Sequence, residues 1–408
     1  MFGLLKKAST YTVDQLASMV GWAGFGAWTG ERISEETALD TAAVFCAARV
    51  IAEGVAQMPL RILEEIDSAD DIPRQRVARQ HWSHKLLTRR PNSWQTPYEF
   101  TEGMTFNAAL GPGALAIKVM VGNEVRELLP VPLHAWTVEQ DPDYGLIFRV
   151  HYADKTHGDF TEDQVLFLRG PSLDGFRALP AVRQARHAIG LSRAMEEQQS
   201  KLAANGGKPS GVLSFDNPLK PETQEKLRTT WQSKFGPGGA GGIAIVDGGA
   251  KFQSMSMSMV DAQFLESRRF QIEEIARVFR VQPLMLMQAD KAATFASAEQ
   301  MFRMHVVHTL APWLRRFEHV IARDLLSASP RLRADFDERA LLRGDHADQA
   351  EYYTKALGAG GQPGWMTPNE VRRERDMNPV NEEWANRIPR GAIEQAPSPR
   401  QEDNEGDA

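Results

Sequence analysis

The stretch MVDAQFLESRRFQIEEIARVFRV, residues 259–281, decides how this chain is read. Phe264, Arg268, Ile272, Ile275 and Phe279 recur at steps of three and four, which puts one stripe on one helix face. Pro283 lacks an N–H and restricts Gln282 before it, so the helix cannot simply continue. After the break PLMLMQADKAATFAS a second helical pattern follows, roughly 297–326. It carries Phe302, Val306, Leu310, Trp313, Phe317, Val320 and Ile321 in register. Thirty helical residues span about 45 Å. Pro312 lies inside this pattern, and the spacing resumes beyond it, so a kink is expected there and not an end.

Working outward, 179–205 forms another long helical pattern, and 207–258 is an interpolated module between it and 259. That module reads as a strand (GVLSF), a helix opening at 218–222, the glycine-rich turn GPGGAGG, and a strand pair. Towards the N-terminus, 39–57 is an amphipathic helix through Val44, Ala47, Ile51 and Val55, ended by Pro59 and followed by the strand LRILEE. The charged stretch 64–80 reads as a loop. Thr96, Pro97 and Glu99 spell a capping box with proline at the first helical position. Short strands follow GPG at 111–113, through ALAIKVM to QVLFLRG. Beyond Pro330 the pattern turns to polar helices, one of them opening on a second capping box, Thr367–Glu370. The fold class is α+β, with small antiparallel sheets and no βαβ alternation.

The 408 residues are 42% apolar and 25% charged, ordinary for a soluble protein, and allow two or three domains. No apolar run is long enough for a transmembrane helix, and MFGLLKKAST lacks a sustained signal-peptide core. Cys46 is the single cysteine, so no internal disulfide can form, and a small buried residue is expected there. The net charge is −6, whereas a protein that grips duplex phosphates is expected to be basic or to carry a basic stripe. Residues 1–36 read as an extended arm whose Trp22, Phe25 and Trp28 suit a neighbour's surface. Residues 390–408 have a disordered composition.

No catalytic constellation stands out. GPGGAGG follows a helix and precedes a strand, the reverse of a phosphate cradle, and lacks GK[ST]. His305 and His308 have no HExxH context, GPSLDG at 170–175 lacks a nucleophile elbow, and Glu273 and Glu274 point apart on a helix. Neither an enzyme nor a cofactor is expected. Arg183, Arg186, Arg193, Arg268, Arg269, Arg315, Arg316, Arg372 and Arg373 have acids nearby, as ion-paired helix faces do.

Several pieces in order carry a resemblance. They are ALDTAAVFCAARVIAEGVAQMPLRIL, PNSWQTPYEFTEGM, GALAIKV, KPSGVLSF, GGAKFQSMSMS, DAQFLESRRFQIEEIARVFRVQPLML, HTLAPWLRRFE and MTPNEVRRERDMNPV. The chain resembles the portal proteins of tailed bacteriophages, of the HK97-like group, which also serve prophages and gene transfer agents. The resemblance implies a dodecameric ring at a capsid vertex of the virion, assembled in the bacterial host cytoplasm. Double-stranded DNA would pass through it, bound weakly and without sequence specificity. Implied partners are the chain itself, the terminase large subunit, the major capsid protein and the head–tail adaptor, with no membrane. It implies an N-terminal arm at 1–36, a wing at 37–178, stem helices at 179–206 and 259–283, and a clip at 207–258. A tunnel loop at 284–297, a long kinked wing helix at 298–330, a crown at 331–389 and a disordered tail at 390–408 complete the order. The tunnel-loop residues Gln288, Asp290, Lys291, Thr294 and Phe295 would then face DNA. The clip residues Asp216, Lys220, Glu222, Lys226, Arg228 and Lys234 would meet terminase and, later, the adaptor. Two rival readings are a DNA-processing enzyme with a glycine-rich nucleotide loop and a membrane scaffold using the aromatic arm.

Overall fold

The computed structural model describes residues 27–66, 74–204, 211–214, 220–226, 229, 251–254, 260–288, 295–338, 346–358, 363–375 and 377–389. The chain divides into two compact units at Glu338/Arg339. In the first unit the helices are α1 (Glu35–Ala38), α2 (Ala42–Ala56), α3 (Trp82–Thr88), α4 (Pro97–Leu110), α5 (Ala181–Ala204), α6 (Val260–Phe279), α7 (Phe295–His305) and α8 (Ala311–Asp324). The capping box at α4 forms as the sequence predicts, with Thr96 Oγ1 accepting the Glu99 N–H and Glu99 accepting the Thr96 N–H.

Among the described residues, eleven strands make four small sheets, and every named pairing is antiparallel. β1 (Leu60–Ile66) lies between β2 (Arg74–Val77) and β11 (Leu332–Phe336). β3 (Ala114–Val121) lies between β4 (Glu124–Val131) and β8 (Val165–Leu168). β5 (Trp136–Gln140), β6 (Leu146–His151) and β7 (His157–Thr161) form a meander, and β9 (Gly211–Ser214) pairs β10 (Lys251–Ser254). Two of these strands depart from the sequence expectation. β2 lies in the stretch read as a charged loop, because Glu64 and Arg76 face each other across β1–β2 and pair through Arg76 Nε at 2.9 Å. β11 lies where polar helices were expected; its Ala334 and Phe336 alternate inward against β1.

Two cores result. In one, Val44, Ala47, Ala48 and Ile51 of α2 meet Val182, Ala185 and Ile189 of α5 and Ile275 and Phe279 of α6. Alanines on α2 let the helices approach closely. In the other, the sheets of β3 and β6 close over Trp136, Phe148 and Phe167, whose rings meet edge-on or tilted at 5.0–6.5 Å. Burying each phenyl ring stabilises the sheet pair by about 1.5–3 kcal/mol.

The long second arm is one helix with an inserted π turn, Val306–Leu310, between α7 and α8. Pro312 has no N–H for the carbonyl four residues back and its ring crowds that carbonyl; the wider turn, closed by Ala311 N–H on Val306 C=O, absorbs both effects. Gly54 of α2 makes room for it, since a Cβ there would lie 2.6 Å from Leu310. The end of α8 is tied to the sheet of β3: Asp324 accepts the Phe167 N–H at 3.1 Å and its carbonyl accepts Lys118 Nζ at 2.9 Å. Burial holds the Lys118 ammonium pKa below its ordinary range.

The second unit contains α9 (His346–Ala356) and α10 (Pro368–Glu374). Its predicted capping box forms at Thr367 and Glu370. Buried Asn369 then stitches the chain beyond α10, donating to Val380 C=O and Asn386 Oδ1 and accepting the Val380 N–H, each at 2.8 Å.

Two side chains of the long arm generate predictions. Glu318 is buried on α8, accepts the buried Phe336 N–H at 2.8 Å and pairs Arg315 at 2.7 Å. Glu318→Ala leaves that N–H without an acceptor and is expected to lose about 2–4 kcal/mol in chemical denaturation. Glu318→Gln, which keeps an acceptor oxygen, should lose less. His305 is 3% exposed with no partner for Nδ1, and burial pushes its pKa below the ordinary 6.5. The unfolded chain therefore takes up a proton there that the folded chain resists. Stability falls as pH drops through about 6.5 towards the lower folded value. His305→Leu is expected to flatten the stability loss between pH 7.5 and 5.5. Part of the slope should remain, because burial shifts His81 and His84 the same way.

Candidate functional site

The surfaces that could carry function sit on the α5–α6 hairpin and on the segment that leaves its upper end. α5 and α6 run antiparallel, and Arg268 of α6 fixes their level by donating to Glu196 at 2.7 Å and Gln199 at 3.0 Å. In sequence α5 precedes β9 and α6 follows β10. Above the clamp both helices enter the core with α2.

α6 ends in a tight cap. Val281 N–H reaches back to Ala276 C=O at 2.9 Å, and Arg280 takes φ +57, the left-handed position that glycine usually fills. Thr309 of the π turn donates its hydroxyl to the Arg280 carbonyl, so the helix end is bolted to the long arm. Arg316 lies over the Trp313 ring at 5.3 Å; burial first, and the Arg280 charge second, hold its pKa below the usual arginine range. Pro283 then opens a 3₁₀ turn, Pro283–Leu286, closed by Met287 at φ +59, which is 90% exposed. Two non-glycine residues in left-handed conformation thus bracket the connector.

The tunnel-loop candidates separate. Gln288 is half-buried and folds back onto α6, donating from Nε2 to Glu273 at 3.3 Å. It shares a hollow with Ala276, Arg277, Val281 and Pro283. Asp290, Lys291 and Thr294 lie outside the described residues, and Phe295 is the first residue of α7. Of the clip candidates, Lys220, Glu222 and Lys226 are exposed on and just before a helical segment at 221–226, which carries both charge signs. Asp216, Arg228 and Lys234 lie outside the described residues, as does GPGGAGG, and so do Trp22 and Phe25 of the arm and the tail at 390–408.

The structure adds a strap that the sequence did not announce. Residues 27–40 lie along α5: Trp28 stacks on His187 at 4.3 Å between ring centres, and Arg193 pairs Glu31 and Asp40, each at 3.1 Å. Gly190 permits the approach, since a Cβ there would fall 2.4 Å from Ala27 Cβ. A glycine inside an amphipathic helix was the available signal. Among the described residues, no group of three or more His, Cys, Asp or Glu is placed to hold a metal ion, and no helix is long and apolar enough to cross a membrane.

Against this geometry the comparisons with known proteins agree. Residues 42–376 match the family model described as phage portal protein. The chain is 29% identical over 356 residues to the portal protein of Enterobacteria phage HK97, covering 85% of this chain and 81% of that one. It is 28% identical over 372 residues to the probable portal protein of Streptomyces phage phiC31, covering 88% and 79%. Its fold is similar to an HK97-family phage portal protein from Corynebacterium diphtheriae (TM-score 0.57, 16% identity, 76% of this chain and 97% of that one). It is similar also to a chain in the neck of a native gene transfer agent particle computed with C12 symmetry (TM-score 0.57, 19% identity, 92% and 99%). A family match that runs unbroken from α2 through the hairpin and the long arm to α10 means that the chain belongs to the phage portal protein family.

Proposed function

We propose that twelve copies of this chain close into a ring at one capsid vertex of a phage or gene transfer agent particle, as the conduit for double-stranded DNA. The observation that carries this is the clamped α5–α6 hairpin, which enters a core shared with α2 and turns directly into a second long helix. An upright hairpin can stand beside copies of itself around an axis, which a compact enzyme core has no need to provide. A chain in a related neck particle, resolved with C12 symmetry, has a similar fold.

In this reading, α5 and α6 are the stem and β9–β10 with its intervening residues is the clip. The long arm α7–α8 belongs with the wing, α9 and α10 form the crown, and 284–297 is the tunnel loop. Gln288, held by Glu273, anchors the loop base, and Asp290, Lys291, Thr294 and Phe295 lead on towards the DNA. A net charge of −6 suits a sleeve, because each Lys or Arg that neutralises a phosphate brakes sliding. The mixed charges of Lys220, Glu222 and Lys226 offer exchangeable polar contacts for two successive partners, the terminase large subunit and then the head–tail adaptor. The capsid protein surrounds the wing. The pumping energy comes from the terminase, and this chain's part is structural.

Native mass with negative-stain imaging tests the ring: twelve chains of 45.5 kDa give about 546 kDa with a central hole. Thirteen-fold rings support the reading as well. A monomer or dimer that persists at high concentration with capsid partners present overturns it. For the loop, Gln288→Lys with Asp290→Lys adds three positive charges per copy, and packaged DNA is expected to fall ~10-fold at low salt while rings remain intact. Unchanged DNA yield removes the loop assignment.

A further inference from the structure

The hairpin has two outer edges of opposite character, the α5 one flanked by the 27–40 strap at His187, Gly190 and Arg193. On α5 the edge turned away from α6 carries Leu191, Ala194, Met195 and Gln198, none of them charged, with Leu191 39% exposed. The buried side of the same helix holds Val182, Ala185 and Ile189, and the α6-facing side holds Glu196 and Gln199. On α6 the edge turned away from α5 carries Glu266, Phe270, Glu273 and Arg277 at steps of four, three and four. Phe270 is 52% exposed there, the one large apolar side chain among three charged ones. Arg277 is paired with Glu274, and Glu273 accepts from Gln288, so these charges have partners within the chain. Phe270 has none.

We infer that Phe270 of one copy inserts between Leu191, Ala194, Met195 and Gln198 of the next copy. The level of the two edges points to this pairing. Arg268 spans to Glu196 and Gln199, which sets residue 268 level with about 197–198 on the antiparallel partner. Phe270, two residues on, is level with 195–196. A rotation about the ring axis leaves height along that axis unchanged, so copies of an upright hairpin meet level with level. Phe270 of one copy therefore arrives opposite Ala194 and Met195 of its neighbour. Leu191 lies one turn to one side and Gln198 one turn to the other. Positions i, i+3, i+4 and i+7 are the four that bound a hole for a knob from a facing helix, and Ala194 supplies the depth for a phenyl ring. The hole itself carries no charge, so the ring displaces no ion from it, while Glu266, Glu273 and Arg277 flank the ring at the rim of the contact. Both halves of the contact lie on opposite edges of one hairpin at one height, which is what a head-to-tail cyclic contact requires, so the occupant is a second copy of this chain.

The inference rests on the ring reading and is separable from it. In the Phe270→Cys/Ala194→Cys chain, mild oxidation of assembled particles is expected to give a ladder of covalent oligomers up to the full ring. Each single-cysteine variant, with Cys46 still present, should give none. Phe270→Asp should shift the native mass from ring to protomer at concentrations where the unmodified chain is fully assembled. Its thermal transition should match the unmodified protomer's, because the side chain is half exposed in the protomer. Rings that form without cross-linking, together with intact rings in Phe270→Asp, overturn this pairing and leave the ring standing. An unmodified chain that never assembles overturns both.

Discussion

The end of α6 is the joint on which the rest depends. Three backbone demands meet there: the helix must stop before Pro283, the chain must leave sideways, and the long arm must return over the same spot. Arg280 in left-handed conformation satisfies the first two, and the Thr309 hydroxyl on the Arg280 carbonyl satisfies the third. The arm can present Thr309 there because the turn before Pro312 is widened into a π turn. Gly54 then lets Leu310 of that turn sink against α2. Two prolines far apart in sequence, Pro283 and Pro312, thus shape the same junction.

From that joint the hairpin, the long arm and the connector are each tied to the frame by different contacts. The hairpin and α2 share an apolar core, and the arm is pinned at its far end by Asp324 and Glu318 accepting backbone N–H groups of Phe167 and Phe336. Both pins join a helix carboxylate to a strand, so the long arm is held to two separate sheets. The connector at 281–288 is held as well: Val281 is buried in that apolar core, Met285 and Leu286 pack against it, and Gln288 donates to Glu273, while the left-handed Met287 stays exposed.

Most of the frame was legible. Period-3.6 stripes located α2, α5, α6 and the long arm, and the capping boxes at Thr96 and Thr367 fixed two helix starts. Such signals are local, and their physics is complete within a few residues. What escaped depends on distant partners. Arg74–Val77 has no apolar alternation and becomes a strand because β1 offers it a ladder and Glu64 a counter-charge. Leu332–Phe336 is too short to announce itself and is recruited by the same strand. Gly54 and Gly190 read as weak points in helices, and their use is visible only once Leu310 and Ala27 arrive. Gln288 was readable as a polar loop residue, but its contact with Glu273, fifteen residues earlier, was not.

The charge distribution closes the chain of reasoning from sequence to role. Arg49, Arg61, Arg76, Arg149, Arg193, Arg268, Arg277, Arg315, Arg323, Arg333 and Arg387 each meet an acid within the chain. A cation already paired offers a passing phosphate little, because the new contact must break the old one. Under the proposed conduit reading, these paired arginines would give a passing duplex little to hold, and a net charge of −6 on the chain would add no attraction. Catalysis calls for the opposite arrangement, in which charges are left unpaired and aimed at one point. The mixed-sign helix faces read from the sequence are thus, where the structure describes them, named ion pairs such as Arg268–Glu196 and Arg315–Glu318.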